Sequence, residues 1–502
     1  MARQRVITDV ADTAPWAFQT LFYDELGRLV RRELMLDDGG SVTSDYDAAG
    51  AFTWASRTQT HDAAGRLLAE QVRDDDGGLA SRRYVYDAAD QLASLVVRDA
   101  DGTHSTTRYD PADAEAWQSF TVHYDAAGRR DGTREERDDG SSVTISYEAA
   151  DVAPWARVIV MRNAAGQVTR QETQNDGGGR DVIQRSYDAA GHLLTESVSL
   201  ADGSRSSNRY TYDAQGDLQL LAENHADGSR TLTYHDVAGA ETWSVLAITY
   251  DAARVRTRLD KMLDQGGHVT VTYDADGSAP WSSLSQTWDA AGRLTTEAVN
   301  LDDGGRSVTR HDVANSAAWQ MQTRDYDAAG RLLHEQVLRD DGTGTDRFLD
   351  ANGEAPWSAC AVTRDGEGRA LEGLVELDAG FRVLLRNDAA EAEPWRVQAR
   401  FVLGDGDLAC TLSLRDDASL EELFGAVPWQ QSISRDGKVV LRTADLGEGA
   451  TLVLSHDAAN AKPWIVTADL QDAEGNLLFH AAINHDGSLI LDPGLPMADW
   501  LV

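Results

Sequence analysis

Cysteine is almost missing from this sequence. Cys360 and Cys410 are the only two in 502 residues, they stand in different repeats, and their spacing matches no metal-ligand pattern. Disulfides therefore do not hold the chain together, and both thiols read as small apolar side chains. Basic charge is scarce too. With 46 Lys and Arg against 83 Asp and Glu, the formal charge is -37, which argues against nucleic acid or an anionic membrane as partner. No apolar run approaches the ~18–20 residues that a membrane-spanning helix needs, and the opening segment 1–16 has no apolar stretch of signal-peptide type. These absences lead us to expect a soluble chain with no N-terminal export signal and no membrane insertion.

A unique catalytic constellation is also lacking. None of the 12 histidines joins a single Ser or Cys in a motif with a mechanism behind it, and His61 and His123 sit at or beside a repeated Tyr-Asp position. Catalysis needs a few groups placed once, whereas this chain repeats its polar groups many times. We expect no enzyme, no catalytic residue and no cofactor.

What is present is a repeat, with tryptophan as its ruler. The steps Trp16 to Trp54, Trp117 to Trp155, Trp243 to Trp281, Trp281 to Trp319, Trp319 to Trp357 and Trp357 to Trp395 are each 38 residues. The two irregular gaps, Trp54 to Trp117 and Trp155 to Trp243, equal one long step plus one or two modules of 25 residues. A Tyr stands seven residues after Trp16, Trp117, Trp243 and Trp319 and reappears in the short modules, giving Tyr23, Tyr86, Tyr124, Tyr187, Tyr212, Tyr250 and Tyr326, and a Gly closes the turn behind this position at Gly27, Gly65, Gly128, Gly191, Gly216, Gly292 and Gly330. After Trp395 the ruler contracts to 34, 35 and 36 residues, at Trp429, Trp464 and Trp500. The expected organisation is 1–363 regular repeats and 364–502 divergent repeats with a C-terminal cap, continuous with the first part.

The unit beginning at Trp319 predicts three strands. Trp319 to Tyr326 alternates bulky and polar side chains only imperfectly, so that neither face reads as an inner one, Asp327-Ala328-Ala329-Gly330 reverses the chain, and Arg331 to Leu338 returns. Asp340-Asp341-Gly342 turns again, and a third strand leads to the corner 350–357, where Pro356 lacks an N–H. The short module keeps both turns and omits the corner and its Trp strand. Helical repeats are the competing class, but two Gly punctuations per unit and β-branched runs such as 269–273 favour strand. The fold class is therefore all-β: antiparallel hairpins and three-stranded units forming a spiralling or elongated, solenoid-like sheet. Isolated units of this size are marginal, so the Trp and Tyr side chains are expected to stack into a buried spine in which losing one Trp costs about 3–5 kcal/mol.

Calcium is the metal that the Asp pairs at 37–38, 138–139, 302–303 and 340–341 bring into question. These pairs match neither the EF-hand loop nor the glycine-rich nonapeptide, and Asp before Gly is what a plain turn wants. We expect no metal site.

At Tyr210-Thr211-Tyr212-Asp213-Ala214-Gln215-Gly216-Asp217-Leu218, and at Tyr84-Val85-Tyr86-Asp87, the sequence resembles the YD-repeat family of the Rhs and teneurin type, with signature Tyr-x-Tyr-Asp-x-x-Gly-x-Leu. The resemblance covers the recurrent turn to about residue 370. It implies a long antiparallel β-sheet that spirals, in large members around a toxin or other cargo. The long units, with their Pro-Trp corner, look more like Trp-containing repeats of large secreted bacterial proteins. The ending Asp499-Trp500-Leu501-Val502 resembles that of proteins exported by type I secretion. Three readings of function stand open: an extracellular or surface scaffold, stalk or adhesin; part of an Rhs-like shell; or a carbohydrate-binding repeat protein. The partner is left open between a protein surface, a glycan surface and a second copy.

Overall fold

The computed structural model describes residues 3–491 other than 149, 151, 390, 435 and 448; Trp500 and the ending 499–502 lie outside the described residues. The chain is all-β: the described residues form forty strands and no helix. It makes two compact units, Met1–Thr233 and Tyr234–Val502. In the first, every strand from Arg3–Thr8 to Leu218–Asn224 pairs antiparallel with the next in sequence. In the second, the same rule runs from Trp243–Tyr250 to Leu420–Phe424, and a separate sheet follows from Trp429–Ile433 to Leu489–Leu491. The sheets are open, since no first strand closes on a last among the described pairings.

The unit at Trp319 gives the three expected strands, Trp319–Tyr326, Leu332–Arg339 and Gly344–Leu349. The second starts one residue later than expected because Arg331 belongs to the turn. There, the Asp327 carbonyl accepts the Gly330 N–H at 3.0 Å, and the Asp327 N–H donates to the Arg331 carbonyl at 2.9 Å. Asp327 Oδ1 accepts the N–H groups of Ala329 and Arg331 at 2.9 and 2.8 Å, while Oδ2 takes Arg331 Nε at 2.7 Å. Gly330 stands at φ +79°, where a side chain would be strained. A short carboxylate and a glycine thus close the hairpin locally.

Turns along one edge also touch each other. In the second unit the Asp302 N–H donates to the Pro280 carbonyl, a Cβ on Gly304 would lie 3.0 Å from Ala328, Arg331 Nη1 donates to the Ala351 carbonyl at 2.7 Å, and the Asp378 N–H reaches the Pro356 carbonyl at 3.1 Å. Corner, Asp-Asp-Gly turn, Asp-x-x-Gly turn and corner therefore form one continuous row.

The strand count explains why the sequence showed no clean inner face. A 38-residue unit holds three strands, and the Trp54 step, with one inserted module, holds five. Both numbers are odd, so consecutive Trp strands run in opposite directions. Cross-strand partners share a face, and the line Thr20, Glu33, Thr43, Gln59 passes from four residues after Trp16 to five after Trp54. Equivalent positions thus alternate between the two faces. Each face must suit the same residues.

Burial follows this symmetry. Among the described residues before Trp357, the only buried hydrophobic ones are Ala222 and Ala298, and the sheet side chains are mostly half-buried. Here the expected buried Trp spine needs correction. Trp16, Trp54, Trp117, Trp155, Trp243, Trp281, Trp319 and Trp395 are half-buried, and Trp357 alone among them is buried, at 9 % exposure. A single layer has no second sheet to cover an indole. The core begins at Trp357, where the last strands of the long sheet lie against the separate C-terminal sheet: Cys360, Val362, Val383, Phe401 and Leu412 meet Leu452, Leu454, Leu470, Phe479 and Ile483. The Phe401 and Phe479 rings meet edge-on at 6.3 Å. Inside it the Trp357 strand buries the residues two, three and five after its Trp, and the Trp395 strand those two, four, six and seven after, so beyond the shared second position the buried set is shifted by one.

Candidate functional site

Three kinds of polar group could carry function: the turn carboxylates, the histidines, and the charged side chains on the sheet faces. The carboxylates are committed to structure. Asp24, Asp62, Asp125, Asp289 and Asp365 repeat the Asp327 clamp with Arg28, Arg66, Arg129, Arg293 and Arg369. The N–H of the residue four positions on holds the carboxyls of Asp62, Asp125, Asp289 and Asp327 below the ordinary range. At the corners, Asp47 and Asp312 accept the N–H groups of Phe52 and Ala317, with the same downward direction. In the Asp-Asp-Gly turns the second Asp accepts an N–H two residues on, as Asp139 does from Ser141. The first Asp is different: Asp37 and Asp138 are pushed up, by desolvation and then by the corner carboxylates beside them. Among the described residues no group of three or more His, Cys, Asp or Glu is arranged to hold a metal ion.

The repeated tyrosines tie neighbouring turns together. Tyr86, Tyr187 and Tyr212 donate their hydroxyls to the carbonyls of Leu67, Val168 and Leu193 at 2.9–3.0 Å. Arg66 lies over the Tyr86 ring at 5.1 Å, His192 stacks on Tyr212 at 4.9 Å, and His104 stacks on Tyr124 at 4.5 Å. Tyr23, Tyr250 and Tyr326 end their strands half-buried. Gly27, Gly65, Gly128, Gly191, Gly216, Gly292 and Gly330 all take positive φ. The structure thus places the repeated residues in turns and ladders; it does not gather them into one site.

No family model matches the chain, and no curated protein matches it. Among solved structures, the chain is similar to one titled a crystal structure of TcdB2-TccC3-Cdc42, at 13 % identity and a TM-score of 0.13, covering 99 % of this chain and 33 % of that one. It is likewise similar to a Photorhabdus luminescens Tc holotoxin pore, at 13 % identity and a TM-score of 0.16, covering 95 % of this chain and 28 % of that one. The chain thus spans about a third of the chains it matches. Superposition this poor says nothing about arrangement or activity, so function has to be read from the chain's own geometry.

Two charged features escaped the sequence reading. One is a set of strand-centre glutamates: Glu70, 5 % exposed, receives Arg57 and Arg82, and Glu172 receives Arg170 and Arg180. Arg57 and Arg82 stand on the strands either side of Glu70 and Arg180 opens the strand after Glu172, so register brings these together, whereas Arg170 lies two residues before Glu172 on its own strand. The other occurs once, where the long sheet stops. Glu422 Oε1 lies 2.5 Å from His456 Nε2 and Oε2 lies 3.3 Å from Arg442, whose guanidinium covers Phe424 at 4.6 Å. This cluster clasps the two sheets of the second unit. The contraction of the ruler at Trp429 was its only sign in the sequence.

Proposed function

We propose that this chain is a non-enzymatic structural repeat protein, a polar two-faced β-wall that serves as scaffold or adhesive surface outside a bacterial cell. One observation carries the reading: in each unit the sheet before the Trp357 strand is a single layer whose two faces present the same repeated residues, and whose turn aspartates are spent on closing the turns. Such a wall offers area and repetition. Its acidic edges oppose edge-on aggregation. Fractionation of the native host, with protease applied to intact cells, tests this. The chain should be found in the medium or be cut from the surface, and confinement to the cytoplasm would contradict the reading.

A second reading is a wall segment of an Rhs-like shell. The Tyr-Asp-x-x-Gly signature favours it, since each of its residues has a structural role at Tyr212, Asp213 and Gly216. Co-purification of a protease-protected polypeptide inside the native assembly would support it; an assembly with no enclosed chain would remove it.

A further inference from the structure

We propose that one face of the first unit, across the strands Leu67–Asp74 to Trp117–Tyr124, binds a short acidic saccharide whose sulfate or carboxylate groups are held by Arg83, Arg98 and Arg108. The chain as a whole carries charge -37, yet the four strands Leu79–Tyr86, Leu92–Arg98, His104–Tyr109 and Trp117–Tyr124 contain no Asp or Glu at all. The two acids of the preceding strand, Glu70 and Asp74, fall on the opposite face from these arginines. Register fixes this: Arg83 pairs with Ala69 and Val96, Arg98 with Ser81 and His104, and Arg108 with Ser94 and Phe120. Residues 94, 96 and 98 alternate with 95 and 97, so the three guanidinia share one face.

All three arginines are exposed, and among the described residues their guanidinium groups make no ion pair or hydrogen bond. That sets them apart from Arg57, Arg66 and Arg82, each already bound to a carboxylate. A shallow trough of about 690 Å³ opens here, lined by Gln71, Ser81, Arg83 and Arg98 among others and by no acid. The stacked His104–Tyr124 pair stands on the same face. With ~3.4 Å per residue along a strand and ~4.8 Å between strands, the Cα atoms of Arg83 and Arg98 lie about 8 Å apart. That spacing lets two guanidinium forks take two separate oxyanions.

The surroundings of the forks favour a short saccharide. Gln71, Ser81 and Thr106 add amide and hydroxyl groups suited to sugar hydroxyls. A long polyanion such as nucleic acid would overrun the face and meet the Asp rows at the edges, while a ligand confined to the patch is shielded from them beyond the ~8 Å screening length of physiological salt. The scaffold role needs no ligand, so binding at this face is independent of it.

The test is titration calorimetry on the full chain at physiological salt. The probes are a sulfated heparin-type hexasaccharide, an oligogalacturonate of similar length, neutral maltohexaose and a short DNA duplex. We expect one of the two acidic saccharides to bind, the arm that responds identifying sulfate or carboxylate, and maltohexaose to give no signal. The triple variant R83S/R98S/R108S should lose at least about tenfold in affinity, while R205S and R310S, exposed arginines elsewhere, should leave it unchanged. A wild-type melting temperature in the triple variant shows that the fold is intact. No binding of either acidic saccharide, equal binding by the triple variant, or DNA binding as tightly as the saccharide would each overturn the proposal.

Discussion

A single aspartate in this chain closes a hairpin, orients an arginine and sets part of the pH dependence of folding. Asp327 and its counterparts Asp62, Asp125 and Asp289 have folded pKa values below the ordinary carboxylate value of about 3.9. A group depressed on folding contributes stability that is fully present above its unfolded pKa and is lost as pH falls through its folded pKa. Asp37 and Asp138 are raised and act in the opposite sense, but the depressed turn carboxylates outnumber them. The melting temperature should therefore be flat from neutrality to about pH 5 and fall steeply below about pH 4. A melting temperature that rises on acidification would contradict the clamps. Gly425 is a second decisive residue. A Cβ there would collide with the Leu408 carbonyl oxygen, so Gly425→Ala should cost at least about 3 kcal/mol by urea denaturation of the second unit. The Asp-x-x-Gly turns were legible in the sequence because every partner of Asp327 lies within four residues of it. The Gly425 contact was not, since Leu408 lies on a neighbouring strand and only the folded register brings it near.

At the scale of elements, the contracted Trp ruler marks the place where sheet pairing stops. Elsewhere seven residues separate a third strand from the next Trp strand, as between Tyr46 and Trp54; between Phe424 and Trp429 there are four. The shorter corner coincides, among the described strands from Trp243–Tyr250 onward, with the one step at which consecutive strands do not pair, and the C-terminal sheet instead covers the long one. Apolar residues supplied one visible sign, since buried Val, Leu and Phe replace polar residues from Trp357 onward. The clasp of Glu422, His456 and Arg442 was hidden, because its members come from three strands. Inside this two-layer region Cys360 has its thiol pKa pushed up to about 12 by burial, and Cys410 is raised further. Both thiols should be inert to Ellman's reagent at pH 8 and react fully in denaturant. Glu422→Gln, which removes the charge facing His456 and Arg442, should make them react measurably in native buffer. Equal inertness in that variant would show that the clasp does not hold the layers together.

For the whole molecule, parity is the governing rule. A two-strand module can be added or removed without reversing any later strand, whereas one strand cannot. Excising Asp188–Tyr212, the 25 residues between two Tyr-Asp pairs, should leave the far-UV spectrum of a β-protein and shift the melting temperature by no more than about 5 °C. Excising only Asp188–Leu200, one turn and one strand, puts each later turn of the first unit on the wrong edge and should abolish cooperative unfolding. The repeat lengths of 38 and 25 residues held this rule, since three strands and two strands fit them, yet the reading of single units hid its consequence for the faces. Two different kinds of cohesion operate along the chain: backbone pairing and turn clamps hold the single layer, and among the described residues the apolar core lies from Trp357 on. Hydrogen exchange resolved by peptide tests this directly. We predict intermediate, strand-by-strand protection from Trp16 to Leu349 with fast-exchanging turns, and the slowest exchange in 357–415 and 439–491. Absence of protection before Trp357, or protection as slow there as in the core, would contradict it.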